Sequence, residues 1–283
     1  MKILFTDLDD TLLNNQSEVS EYTKEVILRM LECGHRLVLS SGRPLGSVME
    51  VAKKADLFIP GVYLSSNNGS CIYEIASDNI IYEKTVPMDY VKAVWELGKS
   101  AGIHIQTYSN TSIYSPALDD EIEFYTRKIH LPVVVSERPW EELEREPYKL
   151  LAVSLNDRDK LEVLRNTILE RFSDKLDAIF SSDRYLEIFN RTSGKGEGLK
   201  WLCNHLDIDI KDSYAAGDAM NDLSMIEAAG NGIVMCNGVG ALFPYAQIIT
   251  KKSNDEDGLA EVIKEHIIGE KLVNFRGNSM LIY

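Results

Sequence analysis

The stretch MKILFTDLDDTLL, residues 1–13, sets an apolar run from Ile3 to Phe5 directly against three carboxylates, Asp7, Asp9 and Asp10. So short a run, ended by turn-forming Asp, reads as a buried strand over residues 3–6. Strand side chains alternate with period two, so Asp7 and Asp9 are expected to start on the same side. Like charges there repel unless a cation sits between them. The opening therefore predicts both a strand and a cation site.

Downstream, Ser20 is placed to cap an amphipathic helix whose apolar positions include Val26, Ile27, Met30 and Leu31, ended by Gly34. RLVLSSGRP, residues 36–44, repeats the opening: Leu37 to Leu39 form a short buried strand and Ser40 to Gly42 a turn. Pro44 then suits the first turn of a second helix. Strand, helix, strand at this spacing is a βαβ unit, which requires a parallel sheet. In residues 61–86, short strands separated by Asn67-Asn68-Gly69 and Ser77-Asp78-Asn79 predict antiparallel hairpin structure appended to that sheet. From Pro87 to Phe189 helices (about 88–101 and 157–172) alternate with strands (103–108, 149–154, 178–181, 185–189), which reads as a second α/β domain. Beyond it, residues 194–208 form a helix, SYAAGD (213–218) a strand entering a turn, and GIVM (232–235) another strand. Helices are expected from about Asp222 and near 257–266. The predicted fold is α/β: a Rossmann-like parallel-sheet core made of residues 1–83 and 189–283, with 84–188 inserted as an α/β cap. The tail EKLVNFRGNSMLIY, residues 270–283, carries no functional reading.

At 283 residues the chain is long enough for one large α/β domain or two, and 45% hydrophobic with 26% charged residues is a globular composition. Lys plus Arg number 30 against 44 Asp plus Glu, a net charge of -14 that disfavours nucleic acid and anionic membranes as partners. An anionic substrate would need a locally positive site. Cys33, Cys71, Cys203 and Cys236 lack CxxC spacing and read as reduced thiols, and a zinc site is not expected. No apolar segment is long enough to span a bilayer and Asp7 interrupts any leader-like run, so a cytoplasmic protein is expected; the sequence leaves the oligomeric state open between monomer and weak dimer.

Open parallel sheets place active sites at the carboxyl ends of their strands. Four polar segments fall in such places: DLDDT (7–11), SSGR (40–43), the Lys195 segment and GDAMND (217–222). Together and in this order they resemble the haloacid dehalogenase-like phosphatases, specifically the Cof-type branch with a large inserted α/β cap. The likeness runs over nearly the whole chain. It implies that Asp7 is a nucleophile forming an aspartyl phosphate, Asp9 the general acid and base, and Lys195 the cation that holds nucleophile and phosphoryl group together. Leu8, Ser41, Gly42 and Asn221, with Lys195, would contact the phosphate, while Thr11 braces the loop. The metal would be Mg²⁺, held by Asp7, Asp218 and the backbone carbonyl of Asp9, with Asp222 an outer ligand or a partner of Lys195. Asp10 stands where the family often has Gly, and Ser41 where Thr is common; neither change removes a group the mechanism needs.

Other features read more plainly. DLDDT lacks the Gly and distal Glu of an EF-hand loop, and SGKGEG matches neither GxxxxGK[ST] nor GxGxxG. Arg43 is expected in a structural ion pair. Tyr125, Arg127, Lys128 and His130 fall close together and read as a solvated helix face over the other reading, contacts to the non-phosphate part of a substrate, for which Tyr185 and Glu187 are the alternative residues. The expected function is Mg²⁺-dependent hydrolysis of small phosphorylated metabolites, sugar phosphates foremost. A sugar phosphomutase of the same fold and a non-catalytic ligand-binding protein are the alternatives.

Overall fold

The computed structural model describes residues 1–270 apart from Asn110, Lys128 and His130. Strand β1 (Ile3–Thr6), helix α1 (Glu21–Glu32), β2 (Arg36–Ser40), α2 (Leu45–Lys54) and β3 (Val62–Ser66) follow the βαβ order read from the sequence. The Ser20 hydroxyl accepts from the Thr23 N–H at 3.0 Å, so α1 starts at its expected cap. Strands β4 (Cys71–Glu74) and β5 (Asn79–Glu83) then pair antiparallel onto the β3 edge.

The chain next builds α3 (Met88–Ala101), β6 (His104–Tyr108), β7 (Ile113–Ser115), α4 (Asp120–Thr126), β8 (Val133–Val135) and α5 (Pro139–Glu142). It continues through β9 (Lys149–Val153), α6 (Arg158–Phe172), β10 (Leu176–Ser182) and β11 (Tyr185–Asn190). These strands form a second sheet in the order β10-β11-β9-β6-β7-β8. Its core includes Trp95 of α3, Ile105, Leu150, Leu186 and Ile188 of the strands, and Leu164 and Ile168 of α6. Strand β11 runs past residue 188, where the sequence placed the end of the insertion: Phe189 still pairs with Asp177 and Lys149.

The return to the first sheet comprises α7 (Lys195–His205), β12 (Ser213–Gly217), α8 (Leu223–Ala228), β13 (Asn231–Val234), β14 (Ile248–Ile249) and α9 (Gly258–Val262). The full order is β14-β13-β12-β1-β2-β3-β4-β5, parallel from β14 to β3. The molecule is thus a parallel α/β core with an inserted α/β cap. Alternation along the central strands explains why both faces are covered. Leu4, Leu37, Leu39 and Leu64 meet Ile27, Met30 and Val48 of α1 and α2, whereas Ile3, Phe5 and Val38 meet Leu199, Leu202 and Met225 of α7 and α8. Among the described residues no helix is long and apolar enough to cross a membrane. All four cysteines are free, as expected.

Candidate active site

Strands β12, β1 and β2 are neighbours, so their carboxyl ends bring together three segments far apart in sequence. Asp7 follows β1 and its N–H donates to the Ala216 carbonyl at 2.9 Å; Ser41 follows β2 and its N–H donates to Ser65 O at 2.8 Å. Asp218 follows β12, and Lys195 opens α7. Sequence-distant groups therefore converge because the sheet order places their strands side by side.

Lys195 is the centre of the arrangement. Its fully buried ammonium donates to Asp7 Oδ1 and to Asp222 Oδ1, each at 2.5 Å. Burial disfavours that charge, but the adjacent Asp222 and Asp7 carboxylates outweigh it and its pKa is raised. The second Asp222 oxygen accepts from the N–H groups of Asp218 and Ala219 at 3.1 and 3.2 Å, so Asp222 fixes the turn after β12 as well as the lysine. A side chain at Gly217 would collide with Asp222, which is why only glycine fits there.

Asp7, Asp218 and Asp222 each offer a carboxylate oxygen within 4.8 Å of the others. Burial raises the Asp7 carboxyl well above its ordinary value, against the pull of Lys195, and Asp222 and Asp218 add to the rise. Burial and then Asp222 push Asp218 up to about 7, although Thr11 Oγ1 donates to Asp218 Oδ1 at 3.0 Å. Lys195 alone therefore does not neutralise this group of anions. With Asp222 engaged by Lys195 and two N–H groups, Asp7 and Asp218 are the oxygens suited to a hard divalent cation.

The phosphate-loop candidates sit beside this group. The buried Ser41 hydroxyl accepts from the Arg43 N–H at 3.2 Å and keeps its own hydrogen to donate. Leu8 buries its side chain in the core, and its carbonyl accepts from the Leu13 N–H at 2.8 Å. Asn221 and Lys195 line one cavity of about 570 Å³. Asp10 takes the left-handed conformation, φ 56°, which short polar side chains such as Asp tolerate better than most.

Asp9 departs from the expectation. Strand geometry stops at Thr6, so alternation does not carry Asp9 to the same face as Asp7. Its half-exposed carboxylate instead accepts two bonds from Arg43, Nε to Oδ2 at 3.0 Å and Nη2 to Oδ1 at 2.6 Å. The carboxylates that gather are Asp7, Asp218 and Asp222, with no Asp9 side chain among them. Arg43 does make the ion pair read from the sequence, with Asp9 as its partner.

In the cap, Tyr125 is not on a solvated face: it is buried between Tyr108 and Tyr185, with ring centroids at 6.0 and 5.9 Å. Arg127 is exposed and pairs with Glu123, as a solvated face requires. Lys128 and His130, and the tail from residue 271, lie outside the described residues. Glu187 is buried in an ion pair with Lys149 at 2.6 Å, and Lys149 also donates to the Gly42 carbonyl at 2.6 Å. Sequence reading did not single out Lys149. A lone cation heading the apolar run KLLAV was the available signal. Asp9, Arg43, Lys24, Glu50 and Lys54 of the core and Arg127 of the cap line a cleft of about 630 Å³.

The family described as haloacid dehalogenase-like hydrolase matches residues 4–263. The chain belongs to that family. It is 29% identical over 298 residues to the 5-amino-6-(5-phospho-D-ribitylamino)uracil phosphatase YwtE of Bacillus subtilis, covering 95% of this chain and 99% of the relative. It is 26% identical over 290 residues to phosphatase YwpJ of Bacillus subtilis, covering 93% and 99%. The crystal structure of a haloacid dehalogenase-like hydrolase from Bacteroides thetaiotaomicron is similar with a TM-score of 0.84 at 29% identity, covering 93% of this chain and 98% of that one.

Proposed function

We propose that this haloacid dehalogenase-type phosphatase hydrolyses phosphomonoesters of small metabolites, sugar phosphates foremost, through an aspartyl phosphate at Asp7 and with Mg²⁺. The observation that carries the reading is the buried lysine bridging two aspartates, with a third carboxylate within reach, at the carboxyl ends of parallel strands. A binding protein has no need of a nucleophilic carboxylate held against a buried ammonium. In this reading residues 84–188 are the cap over the site.

Asp7 attacks the phosphorus, and the bond to the leaving oxygen breaks as Asp9 supplies the proton. Asp9 then accepts a proton from water, whose oxygen displaces Asp7 from phosphorus and releases phosphate. To do so Asp9 must leave its pair with Arg43. The Asp9 carboxylate is half-exposed, so water can take the place of Arg43 as it turns toward the substrate. Lys195 balances charge on Asp7 and the phosphoryl oxygens, and Ser41, Gly42, Leu8 and Asn221 supply hydrogen bonds to them. Mg²⁺, held by Asp7, Asp218 and the Asp9 carbonyl, would supply charge neutralisation at the attacked group. The cleft beside Asp9 carries side chains of both signs, which supports a polar, hydroxylated leaving group over an apolar one.

The test is phosphate release from sugar phosphates, nucleotides and an aryl phosphate, with Mg²⁺ or a chelator, for the wild type and Asp7→Asn. Release requiring both Mg²⁺ and Asp7 is expected. Isomerised sugar phosphate without free phosphate would indicate the mutase, and no turnover of any kind would count against the enzyme reading.

A further inference from the structure

Asn68 stands out as a buried polar group that the protein leaves unpartnered. The residue is 2% exposed, and among the described residues neither its Nδ2 nor its Oδ1 has a hydrogen-bond partner. Buried amides are ordinarily satisfied, so an orphan of this kind needs a partner from something that enters the cavity beside it.

Its backbone is fixed with care. Asn68 adopts the left-handed conformation, φ 56°, and its N–H donates to Ser41 O at 3.0 Å while the Asn67 N–H donates to Arg43 O at 3.0 Å. On the other side, Gly69 lies so close to the Gly194 carbonyl that no side chain fits, and Ser70 Oγ donates to Ser193 Oγ at 3.1 Å. The turn thus joins the Ser41–Arg43 loop to the start of α7. The Asn68 side chain falls between them. Its Oδ1 is 3.0 Å from where a Gly42 Cβ would stand, and it lines the same cavity as Lys195 and Asn221.

We propose that Asn68 is a further phosphate-binding residue, its Nδ2–H donating to a non-bridging phosphoryl oxygen between the Ser41–Gly42 loop and Lys195. The inference rests on the phosphatase reading above and adds a ligand that the motif residues do not include. It also explains the left-handed turn: Asn is among the few side chains that accept that conformation and still carry a donor. A water held by Asn68 alone is the competing account, and it predicts that phosphate binding is indifferent to the side chain.

The experiment measures equilibrium binding of inorganic phosphate in the presence of Mg²⁺ by calorimetry, with KM and kcat alongside, for the wild type, Asn68→Gly and Asn68→Asp. Glycine keeps the left-handed turn and removes the amide; aspartate keeps the shape and puts an anion against the phosphate. Removing one hydrogen bond to a charged group is expected to weaken phosphate binding about tenfold or more in Asn68→Gly, and further in Asn68→Asp. Melting temperatures identify folded variants and expose a purely structural role, which would lower them without moving phosphate affinity. Affinity within about twofold of wild type in either folded variant overturns the proposal. Wild-type turnover with unmoved affinities removes this inference alone, whereas a wild type that neither binds phosphate nor turns over removes the reading of the site with it.

Discussion

Replacing Lys195 by Met keeps most of the side-chain volume and deletes the ammonium that two buried carboxylates share. The lysine side chain is fully buried, that of Asp222 equally so, and that of Asp7 is 9% exposed, so water cannot replace the lost donor. Removing one partner of a buried ion pair destabilises by about 3–5 kcal/mol, because the remaining charge is left uncompensated. For a chain of this size that corresponds to a fall in melting temperature on the order of 10 °C. The sign of the pH dependence follows. Burial already raises the Asp7 pKa and Lys195 opposes the rise, so without the lysine the folded state binds a proton more readily still. A raised carboxylate pKa gives stability that grows as pH falls through it, so the deficit of Lys195→Met should shrink in mild acid. Adding Asp222→Asn removes one stranded anion and should recover part of the melting temperature, while phosphate release stays at least ~100-fold below wild type. Thermal melts at two pH values on the single and double variants, with initial rates, test this. A single variant melting within about 2 °C of wild type, or a double variant less stable than the single, would refute the reasoning.

Lys149→Met should strand the buried Glu187 and release the Gly42 carbonyl, lowering the urea midpoint by the equivalent of about 3–5 kcal/mol and raising KM; Glu187→Gln on top should restore part of the midpoint. Unchanged stability in Lys149→Met would show that the buried Lys149–Glu187 pair does not hold the fold. His35 Nδ1 accepts from the Lys2 N–H at 3.1 Å, and burial, Lys2, the N-terminus and Arg36 lower its pKa. The stability it contributes is present above the ordinary histidine value of about 6.5 and is lost as pH falls from there toward the lowered folded value. Melts from pH 7.5 down to about 5 should show a smaller loss for His35→Asn than for wild type, and parallel curves would contradict the assignment.

The core was legible because its strands are buried on both faces and read as short apolar runs ended by Asp, Ser or Gly, as at Ile3–Thr6 and Arg36–Ser40. The Asp9 orientation was not. Strand alternation ends at Thr6, and the partner that turns the carboxylate away, Arg43, lies 34 positions on. The cap yielded its longer elements but hid β7 and β8, three residues each, whose brevity leaves no periodicity to detect. Contacts that organise the site join positions no spacing rule connects: Thr11 with Asp218 across 207 residues, and Lys149 with Gly42 across 107. Motif order singled out the candidate residues, while the sheet order that brings Asp7, Asp218 and Asp222 together emerged only in three dimensions.

The central claim is that the phosphoryl group passes through Asp7. The most direct measurement is mass spectrometry of the enzyme quenched in acid during turnover of its best substrate, followed by peptide mapping. The account predicts one added phosphoryl group on the peptide holding Asp7, absent in Asp7→Asn and discharged when substrate runs out. Sustained phosphate release with no label at Asp7 under any quench time, or label on another residue, would contradict it.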